Sequence, residues 1–576
     1  MMPNGPAAAA IALVTLLTVT LGARGLRIAR TPADFLVASR EVPSAINAAA
    51  ISGEYLSAAS FLGIAGLVFA QGLGALWYAV GYLGGYLVLL LLVAAPLRRF
   101  GAYTIPDFAS GRLESLTLRR TATVLVLVIG WFYLIPQLTG AGITIQFVLG
   151  TPYWVGVVIL GLVVSGNIAM GGMKGVTFVQ SFQYWLKLCA IAIPALVLLG
   201  IAGPGTARNL SPDREAIFTH RTLVHVSDNI SFTPSRPIRV TVTGVLDRRR
   251  MRHQPVQLTV GRHQADAGTD LSFSAGTPVP LRISLVSAHA PSWDSPLVTA
   301  GTDGAHPLVA TYGLIIATFF GAIGLPHILV RFYTNRNGPS ARRTTMIVLI
   351  LLSGFYVFPA LLGVLSRLRA PQLYLTGDTN SVVLALPTQL LPGKAGELLA
   401  ALVAAGAFAA FLSTSSGLLV SVAGALSHDV LGGSTRAFRL CALVAGGVAM
   451  VVALPLDRYS LTVLVGWAFA IAASSFCPLI VLGIWWRNLT WIGAMAGLVA
   501  GGGACCLAIV ATMLGAATRG WGAVLLGQPA IWTVPLAFCT MTVISLLTRQ
   551  ALPSNVEQML QRMHLPEALM QRIHSR

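Results

Sequence analysis

Charge is scarce in this chain: Asp, Glu, Lys and Arg make up 10% of its 576 residues, against 55% hydrophobic. So little polar surface cannot cover a water-soluble protein of this size, which excludes a string of soluble domains. Acid is scarcer than base, 19 residues against 38, and lysine is nearly missing, present only at 174, 187 and 394. The net charge of +19 does not mark a nucleic-acid binder, because most of the arginines lie in short loops between apolar runs. Cysteine is sparse too. All six, at 189, 441, 477, 505, 506 and 539, fall inside apolar spans without metal-ligand spacing, which leaves them as small packing residues and excludes a disulfide framework. There is no Walker-type Gly-rich Lys motif, no nucleophile elbow and no His/Asp/Glu metal spacing, which argues against direct ATP drive and against a membrane enzyme.

What the chain has in quantity is long apolar runs, each about twenty residues or more, enough to cross a bilayer. They lie near 7–23, 43–69, 75–97, 121–147, 153–170, 179–202, 307–331, 345–366, 395–426, 438–455, 460–485, 490–515 and 529–548. The pattern predicts an all-α polytopic membrane protein with about thirteen transmembrane helices. The first run has no basic residue before it, so it reads as a membrane helix rather than a cleaved signal. Arginines crowd alternate loops, at 24, 27, 30 and 40, at 98, 99, 112, 119 and 120, and at 331, 336, 342 and 343. The intervening short loops carry few. That bias places the N-terminus outside, the C-terminus in the cytoplasm, and the protein in the plasma membrane.

The division is therefore 1–204, six helices; 205–305, an outer insertion; 306–548, seven helices; and 549–576, a cytoplasmic tail. Within the insertion, Ile238-Arg-Val-Thr-Val-Thr-Gly244, Val256-Gln-Leu-Thr-Val260, Leu271-Ser-Phe-Ser274 and Leu281-Arg-Ile-Ser-Leu285 alternate apolar and polar. A period of two predicts a small antiparallel β domain between helices 6 and 7. In the tail, Met559, Leu560, Met563, Leu565, Leu569 and Met570 are spaced as a short amphipathic helix, interrupted by Pro566. Gly493, Gly497 and Gly501, every fourth residue, predict a close helix-packing face.

Two apolar spans are interrupted by polar residues. Ile51-Ser-Gly-Glu-Tyr-Leu-Ser-Ala-Ala-Ser-Phe-Leu-Gly63 carries Glu54, a charge that costs at least a few kcal/mol at membrane depth unless paired, hydrated or bound to an ion. Ala409-Ala-Phe-Leu-Ser-Thr-Ser-Ser-Gly417 carries four consecutive hydroxyls. Either alone is ordinary, since Ser and Thr bond back to their own helix. Together they predict a composite site in which hydroxyls of one helix join carbonyls of another, the hard oxygens a small cation prefers.

These segments also carry a family resemblance. Ser39-Arg-Glu-Val-Pro43 through Gly63, Phe108-Ala-Ser-Gly-Arg-Leu113 and Tyr133-Leu-Ile-Pro-Gln-Leu-Thr-Gly-Ala-Gly142 resemble the sodium:solute symporter family, above all its acetate-permease branch. So do Gly171-Gly-Met-Lys174 with Val179-Gln180, Gly324-Leu-Pro-His-Ile-Leu-Val-Arg-Phe332, Ser427-His-Asp429 and Gly466-Trp-Ala-Phe-Ala-Ile-Ala-Ala-Ser474. The resemblance covers nearly the whole membrane part, but not 205–305 or the last two dozen residues. It implies a leucine-transporter-type fold with two inverted five-helix repeats, spans two to six and seven to eleven. It also implies a sodium ion between the second and ninth spans, held by the backbone of Gly53, Leu56 and Ala410 and the hydroxyls of Ser413 and Thr414. Where several relatives have an aspartate, this chain has Gln180, and in place of Asn or Asp it has Tyr55.

By span position Tyr55, Ser57, Ser60, Gln137 and Thr139 are candidate substrate contacts near the midplane. No basic residue obviously lies deep enough to receive a carboxylate. Glu54, Gln180, Pro326, His327 and Arg331 are candidate coupling or gating residues, with Arg331 equally readable as an anchor at the membrane edge. Lys187 lies nearer a span end and reads as a snorkelling structural residue. The expected function is a secondary active symporter coupling sodium to import of a small organic anion, acetate or another short monocarboxylate. Alternatives are the same fold carrying proline, a sugar, pantothenate or another metabolite, or a sensor whose outer β domain binds ligand or a partner.

Overall fold

The computed structural model describes residues 5–28, 34, 37–38, 42–202, 217–218, 221–226, 230–266, 268–282, 295–298, 306–370, 373–376, 379–456, 460–517 and 519–566. Parts of the expected features fall outside these: residues 39–41 of the first motif, 283–285 of the last strand, and the tail beyond 566.

Among the described residues, 11 helices are long and apolar enough to cross a membrane, joined by one bent pair. The spans and shorter segments that build the bundle include α1 (Gly5–Ile28), α2 (Ser44–Tyr55), α3 (Ile64–Gln71), α4 (Trp77–Val88), α5 (Leu116–Leu149) and α6 (Tyr153–Ala202). After the sheet come α7 (Pro307–Gly324), α8 (Pro326–Phe332), α9 (Gly338–Arg369), α10 (Lys394–Asp429), α11 (Thr435–Ala453) and α12 (Leu461–Ala473). The expected spans 153–170 and 179–202 appear as the single run α6, 50 residues. That is about 75 Å of helix, more than one crossing needs. Gly172 breaks it with φ 54° and ψ −157°, a conformation essentially reserved for glycine, so the run supplies two crossings. With that break and the bent pair, the helices account for the crossings read from the sequence.

Burial separates centre from rim. The apolar window of Leu461–Trp485 is 89% buried and that of α10 72%, whereas α1 is only 28% buried. The central pair therefore packs on protein, and α1 presents Leu13 and Leu16 outward, as a helix at a lipid boundary does. Helix starts follow capping chemistry. Ser115 accepts from the Leu118 N–H at 3.2 Å and Asn337 from the Ser340 N–H at 2.9 Å. The glycine face at 493, 497 and 501 packs within the molecule: a Cβ at 493 would meet Ser545 Oγ at 2.0 Å, and one at 501 the Ser474 carbonyl at 2.3 Å.

The arginine-rich end is tied together across distant segments. Arg119 donates to Asp429 at 2.7 Å, joining the start of α5 to the end of α10, and Thr104 donates to the same carboxylate. Arg99 donates to the carbonyl of Met563 at 3.1 Å, docking the tail helix Val556–His564 onto the bundle, with Met563 buried.

The insertion holds a seven-stranded antiparallel sheet in the order β1-β6-β3-β5-β2-β7, with β4 paired to β3. Its strands are β1 (Thr222–Val226), β2 (Ile230–Thr233), β3 (Ile238–Leu246), β4 (Arg249–Leu258), β5 (His263–Ala265), β6 (Thr269–Phe273) and β7 (Leu281–Arg282). Sequence reading found β3, β6, β7 and the end of β4. It missed β1, whose Thr222-Leu-Val-His-Val226 does not alternate, β2 and β5, of four and three residues, and the first half of β4, Arg249-Arg-Met-Arg-His-Gln254. That half is charged and exposed, as suits an edge strand. Asp247 and Arg248, both at positive φ (50° and 65°), form the tight turn joining β3 to β4. Phe218 stacks on Phe273 at 4.6 Å over Val240, Val242 and Leu271, so the sheet has its own apolar core.

Candidate functional site

Both helices that open a repeat are broken. The chain leaves α2 at Leu56, whose ψ of 88° is not helical, and resumes through a π turn at Ala59–Gly63, bending by 67° into α3. Between α7 and α8 the break falls at Leu325, φ −69° and ψ 114°, because Pro326 disfavours a helical residue before it. Each break frees backbone groups, which must find partners in the bundle. Gln137, on α5, meets one of them: its Oε1 accepts from the Ala58 N–H at 2.8 Å.

The freed ends meet in a buried ionic cluster. Arg331 on α8 donates through Nε to Glu54 Oε2 at 2.7 Å, and both side chains are fully enclosed. The same guanidinium donates to Thr177 Oγ1 at 2.8 Å and to Gln180 Oε1, both on α6. Gln180 passes the connection on, donating to the Ser413 carbonyl at 2.7 Å on α10. Gly417 makes the space: a Cβ there would lie 1.9 Å from the Glu54 carboxyl carbon. Arg331 is thus no anchor at the membrane edge. It is the partner of Glu54, and one guanidinium binds α2, α6 and α8 together.

The composite oxygen site lies beside this pair. Ser413 Oγ is 2.7 Å from the Gly53 carbonyl and 3.1 Å from that of Ala410, and Thr414 donates to the Glu54 carbonyl at 2.6 Å. Gly53 permits the approach of α6, since a Cβ would meet the Gln180 carbonyl at 2.5 Å. Into these oxygens points Lys187. Its Nζ donates to the Gly53 carbonyl, to the Leu56 carbonyl at 2.9 Å and to Ser413 Oγ at 2.8 Å, with no exposed surface. The expectation that Lys187 snorkels to a span end is therefore overturned. So is the expectation that no basic residue lies deep: two cations, Lys187 and Arg331, are buried beside one carboxylate, Glu54.

A polar-tipped aromatic layer adjoins the break. Tyr55 meets Tyr86 edge-on at 4.8 Å and Tyr82 at 5.7 Å, Tyr82 lies 4.6 Å from Phe469, and His327 meets Tyr133 at 5.1 Å. The hydroxyls of Tyr55, Tyr82 and Tyr86 and both ring nitrogens of His327 are buried without a hydrogen-bond partner among the described residues. Unmet polar groups buried in this way are costly. Of the other candidates, Ser57 adjoins the helix break, but Ser60 is occupied by the Tyr356 hydroxyl at 3.1 Å and Thr139 by that of Tyr153 at 3.1 Å. Tyr82 and Tyr86 were overlooked in the sequence although Tyr78, Tyr82 and Tyr86 recur every fourth residue, a single helix face.

A family model described as the sodium:solute symporter family matches residues 35–241 and 286–501. The chain belongs to that family. The gap from 242 to 285 removes most of the sheet, although the match runs into its first strands. This symporter is 28% identical to an uncharacterized symporter of Cupriavidus necator, over 90% of this chain and 88% of the relative. It is likewise 28% identical to a monocarboxylic acid transporter of Corynebacterium glutamicum, over 91% of this chain and 88% of that protein. Among solved structures, a sodium-coupled sialic acid symporter in a substrate-bound outward-open state superposes with a TM-score of 0.60. Identity is 15%, over 94% of this chain and 98% of that one. The fold is thus the leucine-transporter type, a multi-pass helical carrier with a small β sheet inserted.

Proposed function

We propose that this symporter imports a small monovalent organic anion, with acetate and other short monocarboxylates as its substrates, by coupling to a cation gradient. The observation that carries the reading is the charge count at the break. Lys187 and Arg331 face one carboxylate, Glu54, leaving a formal surplus of one positive charge with no exposed surface. A bound monocarboxylate would neutralise it, and the unpartnered hydroxyls of Tyr55, Tyr82 and Tyr86 together with His327 are groups that could receive its oxygens. The Corynebacterium glutamicum relative, described as a monocarboxylic acid transporter, supports the substrate class. Sodium as the coupling ion is supported by the family's description and by the sodium coupling of the sialic acid symporter. Of the hard oxygens expected to hold it, at Gly53, Leu56, Ala410, Ser413 and Thr414, those of Gly53, Leu56 and Ser413 accept from Lys187. The arginine-rich loops support a sheet outside a plasma membrane and a tail helix in the cytoplasm.

The test is uptake of labelled acetate into proteoliposomes, with sodium and proton gradients imposed separately and with proline, glucose and pantothenate as competitors. Saturable uptake driven by either gradient and inhibited only by monocarboxylates is expected. Inhibition by proline, a sugar or pantothenate, with none by propionate, would reassign the cargo.

A further inference from the structure

The oxygens to which the family resemblance assigns sodium are already engaged by a side chain. An ammonium has three N–H donors and no acceptor. Lys187 directs all three at this site: to the Gly53 carbonyl, to the Leu56 carbonyl at 2.9 Å and to Ser413 Oγ at 2.8 Å. These are three of the five expected ligands, drawn from both helices that would clasp the ion. The arrangement is built into the surrounding sequence. Gly53 lacks the Cβ that would hold α6 away, with the Gln180 carbonyl only 2.5 Å from that position. Gln180, Tyr184 and Lys187 share one face of α6, and Gln180 also reaches the Ser413 carbonyl, fixing α6 against α10 on the same side.

A sodium ion in the same shell would need oxygens within about 2.5 Å. It would then share those oxygens with a like charge, in surroundings that screen repulsion weakly. The remaining charged groups nearby do not relieve this: Glu54 is committed to Arg331, and Arg331 adds a further positive charge. The residues do not fit a sodium ion and the Lys187 ammonium together.

We propose that Lys187 is the resident cation of this site, held where the resemblance places sodium, so that the contact between the broken helix α2 and helix α10 closes in this chain without a sodium ion. The inference rests on the transport reading only in its uptake arm. Its binding arm needs no solute.

In the binding arm, purified full-length protein in detergent is titrated with labelled sodium, and its thermal unfolding is followed in sodium chloride against choline chloride at equal ionic strength. Wild-type protein is expected to show no saturable sodium binding and no sodium-specific shift in Tm. Lys187→Ala, which clears the oxygens, is expected to acquire both, with Tm rising as sodium is raised. Adding Ser413→Ala to that variant should weaken the acquired binding at least tenfold. Saturable binding to wild-type protein that Ser413→Ala weakens tenfold would overturn the proposal. So would a folded Lys187→Ala protein that gains no sodium binding, because the oxygens would then not be a sodium cradle. Should Lys187→Ala fail to fold, the uptake arm decides with wild-type protein alone. Replacing sodium by choline on both sides of the liposome is expected to change acetate uptake less than twofold, and a tenfold loss would refute the assignment. Absence of acetate uptake under every condition would reject the substrate reading while leaving the binding arm to judge Lys187.

Discussion

A single missing methyl group at Gly417 admits the Glu54 carboxylate to the bundle. Gly417→Ala would put a Cβ 1.9 Å from the carboxyl carbon and push it off Arg331. Breaking a buried pair so that one charge is left alone costs about 3–5 kcal/mol. The expected result is a large drop in the detergent Tm together with loss of uptake. Gly354→Ala is the control, since nothing lies within 4 Å of its Cβ position, and it should leave both unchanged. The pair itself is testable by a double-mutant cycle on Glu54→Gln and Arg331→Gln. Each single change should destabilise strongly and the double change less than their sum, with a coupling of about 0.5–3 kcal/mol. Additive unfolding free energies would show that the two side chains do not depend on each other. At this scale the sequence was only partly legible. Glu54 stood out because a lone carboxylate in an apolar run demands a partner. Lys187 did not, because a lysine toward the end of a span has the same local sequence whether its stem reaches out to the headgroups or turns inward. Depth is decided by the neighbours at Gly53 and Ser413, more than a hundred residues away in the chain.

Helices were legible in number and in most of their limits, and so were the places where two of them fail. The polar stretch at 51–63 and the Gly324-Leu-Pro326 step both coincide with breaks, since small polar residues and proline withdraw what a continuous helix needs. The form of the α2 break was hidden, because its freed N–H is met by Gln137 from α5. The Gly172 break is a further element-scale feature. Its φ of 54° with ψ of −157° suits no residue with a side chain, so Gly172→Ala should cost about 1–3 kcal/mol of stability. Unfolding followed by intrinsic fluorescence in detergent measures this, and an unchanged midpoint would mean that the two halves of α6 tolerate a straighter path.

On the scale of the whole chain, the sheet is a unit with its own core, attached to the bundle at a few points. Residues 295–298 make one attachment, in which Trp77 Nε1 donates to the Pro296 carbonyl at 2.7 Å and the Val298 N–H to Thr311 Oγ1 at 2.9 Å, and the short helix Leu373–Thr376 makes another, packing on β1, β2 and β7. A deletion of residues 208–294, closed by a flexible linker, keeps the first attachment while removing every strand. It should yield a monodisperse carrier that still takes up solute, with altered apparent affinity, because the ionic cluster lies wholly in the helices. A monodisperse deletion protein without uptake would make the sheet part of the transport cycle. The strands at 238–244 and 271–274 were legible by their alternation. The domain's topology was not, since β3 pairs with three partners and only its hairpin to β4 is local.

The surplus charge enclosed at the break has an electrical consequence. A membrane potential acts on whatever net charge crosses its field, at about 2.3 kcal/mol per elementary charge per 100 mV. Lys187, Arg331 and Glu54 are covalently part of the carrier, so their formal sum of +1 belongs to the empty protein and, on the proposed function, would be cancelled by a bound monovalent anion. As the two repeats rock, the field would then bear on the return of the empty carrier, and on the loaded passage through the charge of the coupling cation alone. An interior-negative potential would hold the empty site facing inward, and voltage would set how often the site comes back for its next anion.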